Sequence, residues 1–570
     1  MIEQGTRMVL SKTAVRLQLI GEPSRRAVWV ASAIAGTVWA GVMLLRLLLG
    51  GWVGVGNNWD GDRLFCPLGL ANDRPWDASQ LAYVYPTWVE HTRYDEPCTS
   101  EGWGERYYSS QQLVLWMAKG LTPLLGLSGA LDVRAVGLLC TLAFGVVTAL
   151  LVALLPGPLW LRLAMTVGFG LVMCDSAFAG FFISPYSEPG TLIGLMLLCP
   201  ALLLLWRRPR SSLGGIVLTT AVMLFTLTTK TQMISLLPVA MLALLWLPSA
   251  RQKNDDHQGN RSGGSHRTHP MHRLRRWLVS RWPALIACAL LCGVTAGFAA
   301  TQPQRLNQQV WYTAVFVEML PHSPDPLGDL KALGADGRLL SAMDSRMADG
   351  NSAARTPYWA DYQRNVTPAK ILLHYLSHPD RFIGKGARGV QAVTKPTLDN
   401  YLGSYPAGSG HLAYAKERRV VVVTTLFEFL QKAPALVPLM WLGTIILGAL
   451  LATRTWARPL VRAVGRMTVC VVIALTLQFW LVMMTEGAGD IYKHMIPTGY
   501  LTAICIPLSA ICFWLLYRRD YSAGPEQEQE WLKATVPSGR KPSTQSAPSL
   551  TNVSSERGAS SKLTETAEHQ

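Results

Sequence analysis

Charge is scarce in this chain. Asp, Glu, Lys and Arg make up 15% of its 570 residues, against about 25% in ordinary globular proteins. A string of soluble domains is excluded despite the length, since half of the residues are hydrophobic. They gather in runs of roughly 20, enough to cross a hydrocarbon core of ~30 Å. The chain also lacks CxxC pairs and Cys/His ligand spacings, so it carries no metal-ligand motif. It lacks a Gly-rich strand-to-helix turn, the phosphate cradle that a soluble nucleotide-sugar enzyme would need. Eight of the ten cysteines lie in apolar runs as small hydrophobes. Only Cys66 and Cys98 fall in a polar loop, where oxidising conditions would permit a disulfide closing about 30 residues.

Acidic residues are the scarcer sign, 36 against 52 basic ones, for a net charge of +16. Placement decides what that excess means. Arg7, Lys12, Arg16, Arg25 and Arg26 precede the first apolar run, and Arg207, Arg208 and Arg210 form a second cluster. A third lies between Arg251 and Arg281, and a fourth comprises Arg454, Arg458, Arg462 and Arg466. Each cluster falls on one side of the expected topology, as the positive-inside rule requires. The loop between Gly50 and Tyr108 carries nine carboxylates and four Arg or Lys, which assigns it to the outside. Topology accounts for the basic excess. Nucleic acid is rejected as a partner, and the lipid bilayer takes its place.

What is present is the pattern of an all-α polytopic membrane protein, with about 10 transmembrane helices and a helical outer loop region. The runs predict spans near residues 27–49, 133–155, 159–181, 190–206, 213–229, 233–247, 282–300, 433–451, 467–484 and 496–517. Residues 1–26 are read as a cytoplasmic N-terminal segment, and 27–300 as an N-terminal module of seven spans with a first outer loop at 50–127. A large outer loop region covers 301–432, a C-terminal module of three spans 433–517, and a disordered cytoplasmic tail 518–570. The first run starts too far from Met1 and is too long for a signal peptide, so it is expected to stay as an anchor. Residues 107–127, apolar but interrupted by Lys119, Gly120 and Pro123, predict an amphipathic helix along the interface. A polar inner linker is expected at 249–276 and a helix at 368–376. Ten spans put both termini in the cytoplasm and the chain in the plasma membrane.

Charges at span ends are the functional pointers, because a charge in the hydrocarbon costs at least ~2.5–3.5 kcal/mol. Asn57-Asn-Trp-Asp-Gly-Asp-Arg63 follows the first span, with Asp60 and Asp62 separated by a glycine that allows a sharp turn. Glu188 begins the fourth span, Lys230 lies between the fifth and sixth, and Asp490, Lys493 and His494 lie between the ninth and tenth. Each has an ordinary reading: turn chemistry for the Asn/Asp stretch, helix capping for Glu188, snorkelling for Lys230, and a short polar loop for Lys493 and His494. Together, carboxylates and cations gather at one membrane face. That suits a lipid-linked sugar phosphate, its phosphate held by Lys230, Lys493 and His494, with Arg63 a weaker candidate. Glu188 and Asp490 would then position an acceptor. A carboxylate would take the acceptor proton. Asp60, expected to be partly desolvated, is favoured as this base, with Asp62 paired to Arg63 and ionised.

With these residues in view, the chain resembles the GT-C superfamily of polytopic membrane glycosyltransferases, in particular actinobacterial glycan-biosynthesis hexose transferases. The resemblance rests on Asn57–Arg63, Ser184-Pro-Tyr-Ser-Glu-Pro189, Tyr312-Thr-Ala-Val-Phe316, Leu320-Pro-His-Ser-Pro-Asp-Pro326 and Lys493-His494, and covers about residues 27–517. It implies a polyprenyl-phosphate sugar donor, a glycan acceptor, inversion at the anomeric centre, and Asp60 or Asp62 as the base in the first outer loop. No cofactor is obligatory on this reading, although a carboxylate pair can hold a divalent cation. The competing class is a transporter or flippase of a lipid-linked glycan, for which internal repeats and midplane charges would be expected. The sequence shows neither.

Overall fold

The computed structural model describes residues 23–91, 98, 107–207, 213–247, 270–395, 401–455, 457–486 and 491–518, with backbone alone over 270–280. The expected tail, most of the inner linker and Asp490 lie outside the described residues.

Apolar sequence with no internal hydrogen-bonding alternative must form helix in hydrocarbon, and the runs do so. Seven helices among the described residues are long and apolar enough to cross a membrane: α1 (Arg25–Leu48), α3 (Val133–Leu154), α5 (Glu188–Trp206), α8 (Pro270–Ala300), α14 (Leu436–Thr453), α15 (Pro459–Thr485) and α16 (Ile496–Tyr517). Between α1 and α3 lies α2 (Gln111–Leu124). Three of the expected spans are shorter: α4 (Leu159–Cys174), α6 (Leu213–Leu227), and α7 (Leu237–Leu245) with the 3-10 turn Thr231–Leu236 before it. Helices α9 (Gln304–Tyr312), α10 (Pro326–Leu333), α11 (Pro368–Ser377), α12 (Pro379–Val393) and α13 (Val422–Lys432) belong to the stretch between α8 and α14, and helices of seven residues or fewer are left unnumbered.

Two of these boundaries differ from expectation for identifiable reasons. The third run was expected to continue to residue 181, but α4 stops at Cys174. Asp175 turns inward and accepts from the backbone N–H of Val423 at 2.6 Å and of Thr424 at 3.2 Å, and from the Thr424 hydroxyl at 2.6 Å. It thereby satisfies the first turn of α13 instead of extending its own helix. Conversely, α15 begins at Pro459, well before the expected 467. Two arginines of the fourth cluster, Arg462 and Arg466, lie within the helix, where Arg466 reaches over the Trp246 ring.

Helix α1 packs along α3 through small residues. A Cβ added to Gly36 would sit 2.7 Å from the Gly145 carbonyl oxygen, and one on Gly145 would sit 2.8 Å from that of Gly36, so the two backbones touch. Near its end, Arg46 is 6% exposed, ion-paired with Glu417 and donating to the Cys174 carbonyl at 2.9 Å. This ties the segment before α13 to the mouth of the bundle.

The loop after α1 carries a small antiparallel sheet that hydropathy did not signal: β1 (Leu70–Asn72), β2 (Thr87–Glu90) and β3 (Leu131–Asp132), with Leu70 opposite Glu90 and Thr87 opposite Asp132. Cys66 and Cys98 are disulfide-bonded with a Cα–Cα distance of 5.3 Å. Helix α2 buries Val114, Leu115 and Ala118 and exposes Leu113, Trp116, Met117 and Leu124, so its outward face is apolar, as an interfacial helix requires. The stretch from α9 to α12 has a core of its own, with Tyr312, Phe316, Leu320, Leu330, Tyr362 and Tyr375 buried together.

Candidate functional site

An extended segment leads from α1 into the site. Its Gly54 N–H donates to Ser404 at 3.0 Å, Val55 to Ile183 at 3.1 Å and Gly56 to Gly403 at 2.9 Å. Asn57 and Asn58 then organise the turn. The Asn57 side-chain oxygen accepts from Gly61 N–H at 3.2 Å, while Asn58 receives Asp60 N–H at 3.3 Å and donates to the Tyr401 hydroxyl at 2.6 Å. The left-handed residue is Trp59, at φ 75°, not the glycine. A bulky side chain in that region is strained and needs its surroundings to hold it; here Trp59 stacks on Trp76 with ring centroids 5.1 Å apart. Gly61 is ordinary helical backbone at φ −62°. Its small size matters for another reason: a Cβ there would meet Pro185 at 2.6 Å.

This turn forms one wall of a cavity of about 130 Å³ at the end of the bundle where α1 finishes and α5 and α16 begin. Asp60, Arg63, Glu188, Lys230, Lys493 and His494 all line it, brought together from four separate loops. Asp60 is ion-paired with Lys493 and, at 2.6 Å, with Arg63. Glu188, in the first turn of α5, pairs with Lys230 at 3.0 Å, so that lysine has a buried partner beyond any headgroup. Lys493 is 2% exposed and its ammonium lies 5.0 Å from the Tyr186 ring centre. His494 Nδ1 faces the Gln232 side-chain oxygen at 2.9 Å and Glu486 at 3.3 Å.

The pairing of the two aspartates corrects the expectation drawn from their order. Asp62 does not pair with Arg63 and does not line the cavity. It is 1% exposed and accepts from the side-chain amides of Asn72 at 2.7 Å and Asn57 at 3.2 Å. Burial, offset only in part by the amide bonds and by Arg63, pushes its carboxyl up to about 7. For Asp60, burial acts in the same direction, but Arg63 and Lys493 outweigh it and hold the carboxyl well below the usual carboxylate range. Burial, then the nearby Lys230 and Lys493, keep the His494 imidazole neutral, well below its ordinary range. The cavity thus holds three cations, three carboxylates counting Glu486, and a neutral histidine. It can bind an anion by exchanging carboxylate partners for it, and it can accept or return a proton.

Asp490 lies outside the described residues. Several lining residues escaped the sequence reading. Glu486 stands at the end of α15 in the same loop as Lys493 and could have been grouped with it. Tyr107 carries no distinguishing signal, and the sequence marks Tyr186 only as part of the Ser184–Pro189 stretch. Leu306, Gln309 and Val310 come from α9, whose amphipathy was hidden in a long polar region, and Thr313 just after it belongs to the Tyr312–Phe316 stretch, to which the sequence assigns no role in the site.

Apolar helices crossing side by side, with ionisable groups collected at one end, define a polytopic integral membrane protein. Residues 23–520 match the model of the YfdI N-terminal transmembrane domain family, and the chain belongs to that family. Neither a curated protein nor a solved structure matches it.

Proposed function

We propose that this protein is a GT-C-type glycosyltransferase that moves a sugar from a polyprenyl-phosphate donor to a glycan acceptor at the outer face of the plasma membrane. The observation that carries the reading is the convergence of Asp60, Arg63, Glu188, Lys230, Lys493 and His494 on one cavity at the end of a lipid-embedded bundle. The opposite end bears Arg162, Arg207, Arg281, Arg454 and Arg458, which favours a cytoplasmic position for that end and for both termini.

In this mechanism Lys493, Lys230 and Arg63 bind the donor phosphate. Lys493 leaves Asp60 to do so, and the loss of that cation raises the Asp60 carboxyl towards the range of a usable base. The acceptor hydroxyl attacks the anomeric carbon from the face opposite the phosphate and gives its proton to Asp60. The sugar–phosphate C–O bond breaks, and the polyprenyl phosphate departs against the cations. His494, neutral before the donor arrives, spends its one N–H on the Gln232 side-chain oxygen; it takes a proton from solvent as the phosphate enters and then donates to the phosphate from Nε2. Glu188 acts through Lys230, and Asp62 holds the turn. The cavity's own cations supply the charge compensation, so no cofactor is required. A divalent cation on the carboxylates is the alternative, which activity in excess chelator decides.

The test is turnover by the purified full-length protein in lipid nanodiscs, with polyprenyl-phosphate hexoses and pentoses as donors and release of polyprenyl phosphate as the readout. At least one donor should be consumed, and Lys493→Ala should raise the donor KM while the protein stays folded. Unchanged donor saturation in Lys493→Ala would remove that residue from the phosphate site. Movement of a lipid-linked glycan across the bilayer without turnover would favour the transporter.

A further inference from the structure

A second cavity, of about 230 Å³, lies between the turn after α9, the start of α10, and helices α11 and α12. It is below the ~300 Å³ at which pockets for drug-sized ligands begin, and has room for about one sugar ring. Its polar groups are fixed. Arg381 donates to both oxygens of Asp329 at 2.7 Å, and Ser323 adds a bond to the same carboxylate at 2.5 Å. Arg388 donates to Glu318 at 2.8 Å, and behind it the fully buried Lys385 lies 3.5 Å from the same Glu318 oxygen.

The charges of the lining cancel, Arg381 and Arg388 against Asp329 and Asp380, with His322 the remaining titratable side chain besides Tyr375; behind the wall Lys385 stands against Glu318. A wall so balanced gives no net attraction to phosphate or sulfate, yet it offers donors and acceptors side by side, next to the apolar surfaces of Met319, Pro324 and Tyr375. Alternating donors and acceptors beside apolar surface match a neutral polyhydroxylated ring. One donor is still unused: Arg388 Nε is buried and has no hydrogen-bond partner among the described residues, which would be costly unless a ligand or water meets it.

The chain links this cavity to the first. Thr313 lines the first cavity and Met319 the second, and the segment between them, Thr313–Met319, is π-helical, a rare conformation that marks functional positions. Six residues separate Thr313 from Met319, at most roughly 9 Å along the axis at the α-helical rise of about 1.5 Å per residue and less in a π-helix, which is within the reach of one or two sugar units.

We infer that this cavity is a subsite for a neutral sugar residue of the acceptor glycan, one or two units away from the hydroxyl that reacts at Asp60. The inference rests on the glycosyltransferase reading for its place in the reaction, but its binding test does not need turnover. Gly384 lines the cavity in the middle of α12, and a Cβ there would find Arg388 Nη1 at 3.9 Å and nothing closer. Gly384→Leu therefore fills the space without removing a charge, and Gly384→Ala is its control.

Saturation-transfer NMR on the full-length protein would use neutral hexose and pentose tetrasaccharides, with a sulfated tetrasaccharide for comparison. A neutral tetrasaccharide should bind the unmodified protein and Gly384→Ala, and bind Gly384→Leu at least tenfold more weakly. Equal binding to Gly384→Leu, preference for the sulfated probe, or no binding of any tetrasaccharide would overturn the inference. In the turnover assay, Gly384→Leu should slow transfer to long acceptors and spare a single-sugar acceptor; equal slowing of both would also overturn it. Absence of all turnover with tetrasaccharide binding intact counts against the glycosyltransferase reading alone.

Discussion

Asp60 takes its surroundings from two cations and Asp62 from two amides, and the division of roles follows from that difference. Asp60→Asn keeps the shape of the turn but removes the proton acceptor, so turnover should fall roughly 10²–10⁴-fold, the usual size of a general-base contribution. Donor binding should persist, measured by direct titration. Near-normal turnover in Asp60→Asn would move the base elsewhere. Asp62 makes a separate statement about stability. Its folded carboxyl, at about 7, lies above the unfolded value of about 3.9, so the folded state keeps a proton that the unfolded chain releases. That contribution is complete below about pH 4 and is lost as pH rises towards 7. The melting temperature of the purified protein should therefore fall with pH across this window, and the slope should be shallower in Asp62→Asn. Equal slopes would show that another group governs the window. The sequence favours Asp60 as the base and makes Arg63 the natural partner of its neighbour Asp62. The strained backbone at Trp59 and the packing of Pro185 on Gly61 go with an Arg63 turned to Asp60 instead, and both are tertiary facts with no local signature.

At the scale of elements, the helices were legible because hydrocarbon leaves the backbone no partner but itself. Their ends were less so. Asp175 ends α4 by serving α13, some 250 residues away in sequence, and α9 enters the site from a region whose polarity concealed its apolar face. The contact between α1 and α3 offers a direct test of packing. Gly36→Ala forces a methyl against the Gly145 carbonyl and should destabilise the bundle by about 1–3 kcal/mol, the usual cost of overpacking. Gly41, on the same helix with nothing within 4 Å, should accept alanine with little change. Thermal unfolding in a fixed detergent compares the two, and equal effects would dismiss the close approach as a stabilising contact.

At the scale of the whole molecule, orientation follows from the separation of the charged cavity from the arginine-rich end. A cysteine placed at Gly337 should react with an impermeant thiol reagent on intact cells, and one at Gly259, outside the described residues, should not. The reverse pattern would put the cavity in the cytoplasm, where the proposed donor geometry fails. The site's membership was legible in outline because ionisable groups at span ends are rare. The second cavity was not, since its residues sit in amphipathic helices that read as ordinary soluble structure.

Helix α6 has 15 residues and so rises about 22 Å, less than the ~30 Å of a typical hydrocarbon core. The turn carrying Lys230 closes before the full depth has been crossed. Where lipid meets this hairpin, the mismatch favours a thinned bilayer beside the cavity. Hydrophobic mismatch would thus be built into the protein at the place where, on the proposed glycosyltransferase reading, a lipid phosphate comes within reach of buried cations. Short-chain lipids should ease that approach and long-chain lipids hinder it. Turnover in nanodiscs of increasing acyl length should decline, whereas a flat response would mean that the surrounding helices shield α6 from the lipid altogether.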